Sequence, residues 1–130
     1  MSLATSFLMP ISLVIFGGLF TRWQKKAPDL DQQVLDQLKN AGSDVSKPHE
    51  IDFFLYFPTE AAANSAAEEM KKEVGAVKVD RAAKSAEWLC FATKRMVPAH
   101  TELARLRQRF DDIASKLKGK YDGWGTEVVK

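Results

Sequence analysis

The chain reads as an α+β protein, a βαββαβ two-layer sandwich with an extra N-terminal helix, preceded by one transmembrane helix. Three observations predict this. An uncharged apolar run, LATSFLMPISLVIFGGLF, occupies residues 3–20. Three later segments repeat apolar residues at helical spacing. Four shorter segments carry the aromatic and β-branched residues, or the alternation, of strands, and Gly or Pro punctuates most of the joins.

The apolar run has 18 residues, which as a helix would span ~27 Å at ~1.5 Å per residue. The hydrocarbon core of a bilayer is ~30 Å thick. Thr21, Arg22 and Trp23 then fall at the interface, where Trp is favoured and Arg can snorkel. Pro10 would kink such a helix without excluding it. A cleaved secretory signal is the rival. It would need a basic start and a small-residue cleavage site, and neither is present. Arg22, Lys25 and Lys26 follow the run instead of preceding it. The positive-inside rule therefore places the protein in the inner membrane as a single-pass chain, its C-terminal domain cytoplasmic. The expected division is a hydrophobic anchor and basic flank at residues 1–26 and an α+β domain at residues 27–130.

Charge is informative once divided this way. The chain has 19 Lys and Arg against 17 Asp and Glu. Residues 1–26 hold three of the basic residues and no acid, leaving 16 against 17, a net of −1 for the domain. A near-neutral domain exerts no global pull on a polyanion such as RNA. The single cysteine, Cys90, allows no internal disulfide, as suits a cytoplasmic domain.

Along the domain, Ala27-Pro28-Asp29 reads as a linker and helix start. Leu30, Val34, Leu38 and Ala41 mark one face of the first helix, and Gly42 ends it. IDFFLYF at residues 51–57 is a strand stopped by Pro58. Thr59 caps the next helix, whose stripe is Ala62, Ala66, Met70 and Val74, and Gly75 breaks it. Residues 76–80 alternate as a short strand, and residues 87–94 form a longer one. Pro98 opens a helix with the clearest amphipathic stripe, Leu103, Leu106, Phe110, Ile113 and Leu117. Gly119 ends it, and residues 121–129 make the last strand. The order after the first helix is that of the ferredoxin-like split βαβ arrangement, with two helices on one sheet face.

Little points to catalysis. His49 falls in a loop and His100 in a first helical turn, and no Cys, His or acid stands at metal-ligand spacing. Cys90 lies mid-strand among Trp88, Leu89 and Phe91, the setting of a small buried hydrophobe. Glu68-Glu69 and Asp111-Asp112 are sequence neighbours, which diverge on a helix and read as solvated faces. Nucleotide-binding glycine loops and nucleophile elbows are absent from the sequence. The reading is non-enzymatic, with no cofactor and no metal.

The sheet is the candidate site. If Ile51, Phe53, Leu55 and Phe57 face the helices, Phe54 and Tyr56 share the other face, where Trp124 or Trp88 can join them. An open aromatic face would stack nucleic-acid bases. Alternatively, the first helix folds over that face and buries it. The segment YDGWGT at residues 121–126 poses the same choice. Glycines beside Trp124 allow close packing or a local bulge, and the indole is either structural or part of a partner surface. The candidate partner-binding residues are Phe54, Tyr56, Trp88, Tyr121, Asp122 and Trp124.

At LKNAGSD, residues 38–44, and again at YDGWGT, the sequence resembles the bacterial regulator of ribonuclease E activity, type B. The resemblance runs from about residue 30 to residue 129 and covers nearly the whole domain. It implies the same element order. It also implies a non-catalytic protein that binds the endoribonuclease of the RNA-degrading assembly and changes which transcripts are cut. Members of that family are strongly acidic and have no membrane anchor; this domain is near neutral. The function expected is thus modulation of an endoribonuclease by protein–protein contact, at the membrane through residues 3–20. The alternative is a membrane-tethered RNA-binding module using the aromatic sheet face.

Overall fold

The structure, a computed structural model, describes residues 29–130. The expected anchor at residues 3–20 lies outside the described residues. Among the described residues no helix is long and apolar enough to cross a membrane.

The elements are α1 (Leu30–Asn40), β1 (His49–Phe57), α2 (Glu60–Met70), β2 (Ala76–Arg81), β3 (Trp88–Met96), α3 (His100–Lys116) and β4 (Lys120–Gly125). The four strands form one antiparallel sheet in the order β2-β3-β1-β4. This is the strand order a split βαβ chain requires, with the most apolar strand, β1, at the centre.

Local chemistry fixes the helix ends. Asp29 caps α1 by accepting from the Gln32 amide at 3.0 Å, and Thr59 caps α2 by accepting from the Ala62 amide at 3.1 Å. At the end of α1, Ser43 N–H donates to Leu38 O and Gly42 N–H donates to Lys39 O, with Gly42 at φ 94°. That is a Schellman closure, and only glycine takes such a φ without penalty. α2 is shorter than its apolar stripe suggests. Met70 is its last helical residue, and Val74 is carried by turns yet remains buried. Similarly, β4 stops at Gly125, four residues before the expected end.

The core lies between one sheet face and the helices. Ile51, Phe53, Leu55 and Phe57 from β1 meet Ala63, Ala66, Ala67 and Met70 of α2 and Leu103, Leu106, Phe110 and Ile113 of α3. Phe53 and Phe110 meet edge to face at 5.2 Å. The small residues of α2 let that helix sit close to β3, where the Cys90 thiol donates to Ala63 O at 3.0 Å. The buried face of α1 is turned from the expected one. Asp31, Leu35 and Leu38 are buried, while Ala41 is exposed. The reason is an ion pair that apolar periodicity could not register.

Candidate functional site

The six candidate residues divide between the two sheet faces. Phe53 pairs with Trp124, Leu55 with Tyr121 and Phe57 with Trp88. Side chains of directly opposed residues share a face. Trp88, Tyr121 and Trp124 therefore lie on the helix side with the main core, so neither tryptophan joins Phe54 and Tyr56 as expected. Strict alternation would have put Tyr121 and Trp124 on opposite faces. A bulge intervenes: Phe54 pairs with Gly123 and Leu55 with Tyr121, which leaves Asp122 outside the ladder. Gly123 sits at φ 105° and makes that extra residue possible. One inserted residue returns both aromatics to the core.

Trp124 is 1% exposed. Its indole Nε1–H donates to Asp31 Oδ1 at 3.1 Å. Arg107 holds the same carboxylate with two of its nitrogens, Nε donating to Oδ2 and Nη2 to Oδ1, each at 3.0 Å. Asp31 is 2% exposed, and a buried carboxylate persists only when it is paired and hydrogen-bonded. The Arg107 guanidinium also lies over the Tyr121 ring at 5.2 Å. Burial works against the Arg107 charge, but the hydrogen-bonded Asp31 carboxylate outweighs it and raises the guanidinium pKa. Burial pushes the Tyr121 phenol far up, and nearby Arg107 only partly offsets it. Thus Asp31, Arg107, Tyr121 and Trp124 fasten α1 to α3 and β4. The helix lies here, and the expectation that it folds over the Phe54 face is corrected.

The other sheet face holds a second, smaller cluster. Phe54 and Tyr56 pack with Ala82, Leu89 and Phe91, and Phe54 meets Phe91 edge to face at 5.2 Å. Phe54 is 2% and Tyr56 6% exposed, so their rings are not presented as an open stacking platform. Beside them is a shallow groove of about 280 Å³ lined by Tyr56, Ala82, Lys84, Glu87, Lys120 and Asp122. The bulge delivers Asp122 to this groove. Burial raises its carboxyl pKa, with Lys120 pulling it down and Glu87 adding to the rise. Buried Tyr56 and half-buried Asp122 are the two candidate residues that line this groove.

Sequence reasoning missed a polar clasp around His49. That histidine is fully buried as the first residue of β1, where a loop was expected. Its Nδ1 lies 2.7 Å from Lys47 O, so Nδ1 carries a proton and donates. Its Nε2 lies 2.7 Å from Ser43 Oγ. Ser43 Oγ also accepts from the Val129 amide at 2.9 Å, while the Asp44 amide donates to Val129 O. The Gly-Ser-Asp turn thus ties the segment after β4 back to the end of α1. A histidine six residues beyond the serine was the available signal.

Among the described residues no group of three His, Cys, Asp or Glu could hold a metal ion. Burial pushes the Cys90 thiol up to about 12, the opposite of what a nucleophile needs.

A family model described as regulator of ribonuclease activity B matches residues 29–126. That span runs from the α1 cap through the bulge and Trp124 to Thr126. No match was found among curated proteins.

Proposed function

This chain belongs to the regulator of ribonuclease activity B family, and from that premise we propose that it modulates an endoribonuclease by direct protein contact, without chemistry of its own. The observation that carries the reading is the extent of the match, which takes in every element from α1 to β4. The contact surface is the groove beside Tyr56 and Asp122. It has an apolar floor and a rim of both charge signs, Lys84 and Lys120 against Glu87 and Asp122. Such a surface suits a protein partner of mixed charge better than a polyanion. Tyr121 and Trp124 would act from behind, by holding β4 and its bulge in place, while Trp88 packs on β3 beneath Arg81.

Residues 3–20 would tether the domain to the cytoplasmic face of the inner membrane. Their length, lack of charge and basic flank support this. The nuclease reached in this way would itself be associated with the membrane.

The test is RNA cleavage by a purified endoribonuclease of the RNA-degrading assembly, with and without the full chain, alongside direct binding. Cleavage should change on addition. Lys84→Glu with Lys120→Glu should weaken binding at least ~10-fold, the effect of reversing two rim charges. Binding and cleavage that ignore both the chain and these substitutions would end the proposal. Protease protection on inside-out vesicles, with intact-mass analysis, tests the tether. A mass lacking roughly the first 20 residues would show a cleaved signal instead.

A further inference from the structure

We infer that β2 is a self-complementary edge through which a second copy of this chain docks, strand to strand, to give one continuous antiparallel sheet. The inference is distinct from nuclease binding, since it uses the outer backbone edge of β2, whereas the nuclease groove lies between the β2–β3 turn and β4.

Among the described residues β2 is the outer strand and pairs only with β3. Its ladder runs without a bulge from Ala76–Thr93 to Arg81–Trp88, and it contains no proline. β4, the other edge, is interrupted by its bulge. Bulges and prolines are the usual guards against edge pairing, and β2 has neither.

The hairpin settles which backbone groups are free. Ala82 N–H donates to Glu87 O in the register that continues down the two strands. Hydrogen-bonded and non-bonded pairs alternate in an antiparallel ladder. Ala76, Lys78 and Asp80 therefore bond to β3, and Val77, Val79 and Arg81 turn their N–H and C=O groups outward. A docking strand must pair with those three.

Charge then selects the register. Centring a two-fold axis on Val79 places Val79 opposite Val79 and Val77 opposite Arg81. Lys78 then stands opposite Asp80 of the second copy, and the reverse, at the non-bonded positions where side chains approach most closely. Sliding by two residues one way opposes Lys78 to Lys78. Sliding the other way opposes Asp80 to Asp80. Sliding by one sends the apolar side chains to the wrong face. A lysine on an edge ordinarily repels a docking strand, but in this register its opposite is an aspartate. Lys78 and Asp80 are both exposed, and neither has an ion-pair partner among the described residues.

There is room for the second strand. A groove of about 470 Å³ follows β2 on its helix side, lined by Ser65, Ala67, Glu68, Lys71, Val77 and Val79. It would receive the second copy's Val79 against the exposed parts of Val77 and Val79.

The experiment is sedimentation of the full chain in mild detergent, with Lys78→Asp and Asp80→Lys prepared separately and mixed. The parent should be dimeric. Each substituted chain should dimerise at least ~10-fold more weakly, because both ion pairs of the interface become repulsive. Each should keep the parent's far-UV circular dichroism, being changed only at exposed positions. An equimolar mixture of the two should regain the dimer as a heterodimer, since every cross-strand pair then joins opposite charges. A monomeric parent, a dimer indifferent to both substitutions, or a mixture that does not recover would each overturn the inference.

Discussion

Replacing Trp124 tests whether α1 is held by the buried network or merely rests on it. The side chain is 1% exposed and donates to a carboxylate that is 2% exposed. Trp124→Ala removes the ring and leaves a cavity under α1, which should cost ~3–5 kcal/mol. Trp124→Phe retains much of the apolar contact and removes the N–H. A hydrogen bond to a charged group contributes ~1.5–3 kcal/mol, and this variant should lose about that much. The first loss is a large share of the ~5–15 kcal/mol that holds a domain of this size. Urea unfolding followed by far-UV circular dichroism gives both numbers, and avoids reading the fluorescence of the other tryptophans. The midpoint should fall at an unchanged slope, which marks a change in stability alone. A double cycle with Asp31→Asn should show the two residues coupled by more than ~0.5 kcal/mol. If Trp124→Ala shifts stability by less than ~1 kcal/mol, the indole is not a core residue, and the network does not fasten α1.

Phe110→Ala should cost ~3–5 kcal/mol by the same urea assay, because the ring is fully buried against Phe53. Gly119→Ala and Gly123→Ala should destabilise for different reasons. A Cβ at Gly119 would run into the Phe57 ring and Tyr56 O, whereas one at Gly123 meets nothing within 4 Å but must accept φ 105°. Changing position 123 to Asn, which tolerates positive φ better, should therefore recover part of the ~1–2 kcal/mol lost there, while no side chain rescues position 119. Cys90 should resist alkylation in the native state at pH 8 and react only on unfolding, as mass spectrometry would show. Its thiol ionises near 9.0 when unfolded but is pushed by burial up to about 12 when folded. The unfolded chain therefore releases this proton first. This contribution is fully present below pH 9.0 and falls as pH rises toward about 12. Cys90→Ala should flatten that part of the stability curve.

The element order was legible because it rests on local signals: caps at Asp29 and Thr59, the Gly42 stop, and the apolar stripe through Phe110. The facing of β1 was legible only from its first half, where Ile51 and Phe53 alternate with Glu50 and Asp52; residues 53–57 are apolar and buried on both faces. Two things were hidden. A bulge changes which face every later residue occupies, and from the sequence Asp122-Gly123 is equally compatible with an even strand. The rotation of α1 was hidden because its buried centre includes a charge. Asp31 looks like an ordinary first-turn acid until Arg107 is brought to it from 76 residues away. The candidate site split for the same cause: Tyr56 and Asp122 reach a surface groove, and Trp124 goes inside.

The Asp31 network has a mechanical consequence. α1 is 11 residues long, and isolated helices shorter than ~12–15 residues are marginal in water. It therefore owes its persistence to tertiary contacts, with Leu35 in the core and Asp31 tied to Arg107 and to Trp124, the latter 93 residues along the chain. A load applied at Asp29 meets the ties of Asp29 and Asp31 before it reaches the sheet. Their ties to His100, Arg107 and Trp124 lie in series with that load. The rest of the core lies behind them. Under tension α1 would peel first and unwind, lengthening the chain while the four strands stayed paired, so that the helix serves as a mechanical fuse between its upstream segment and the folded body.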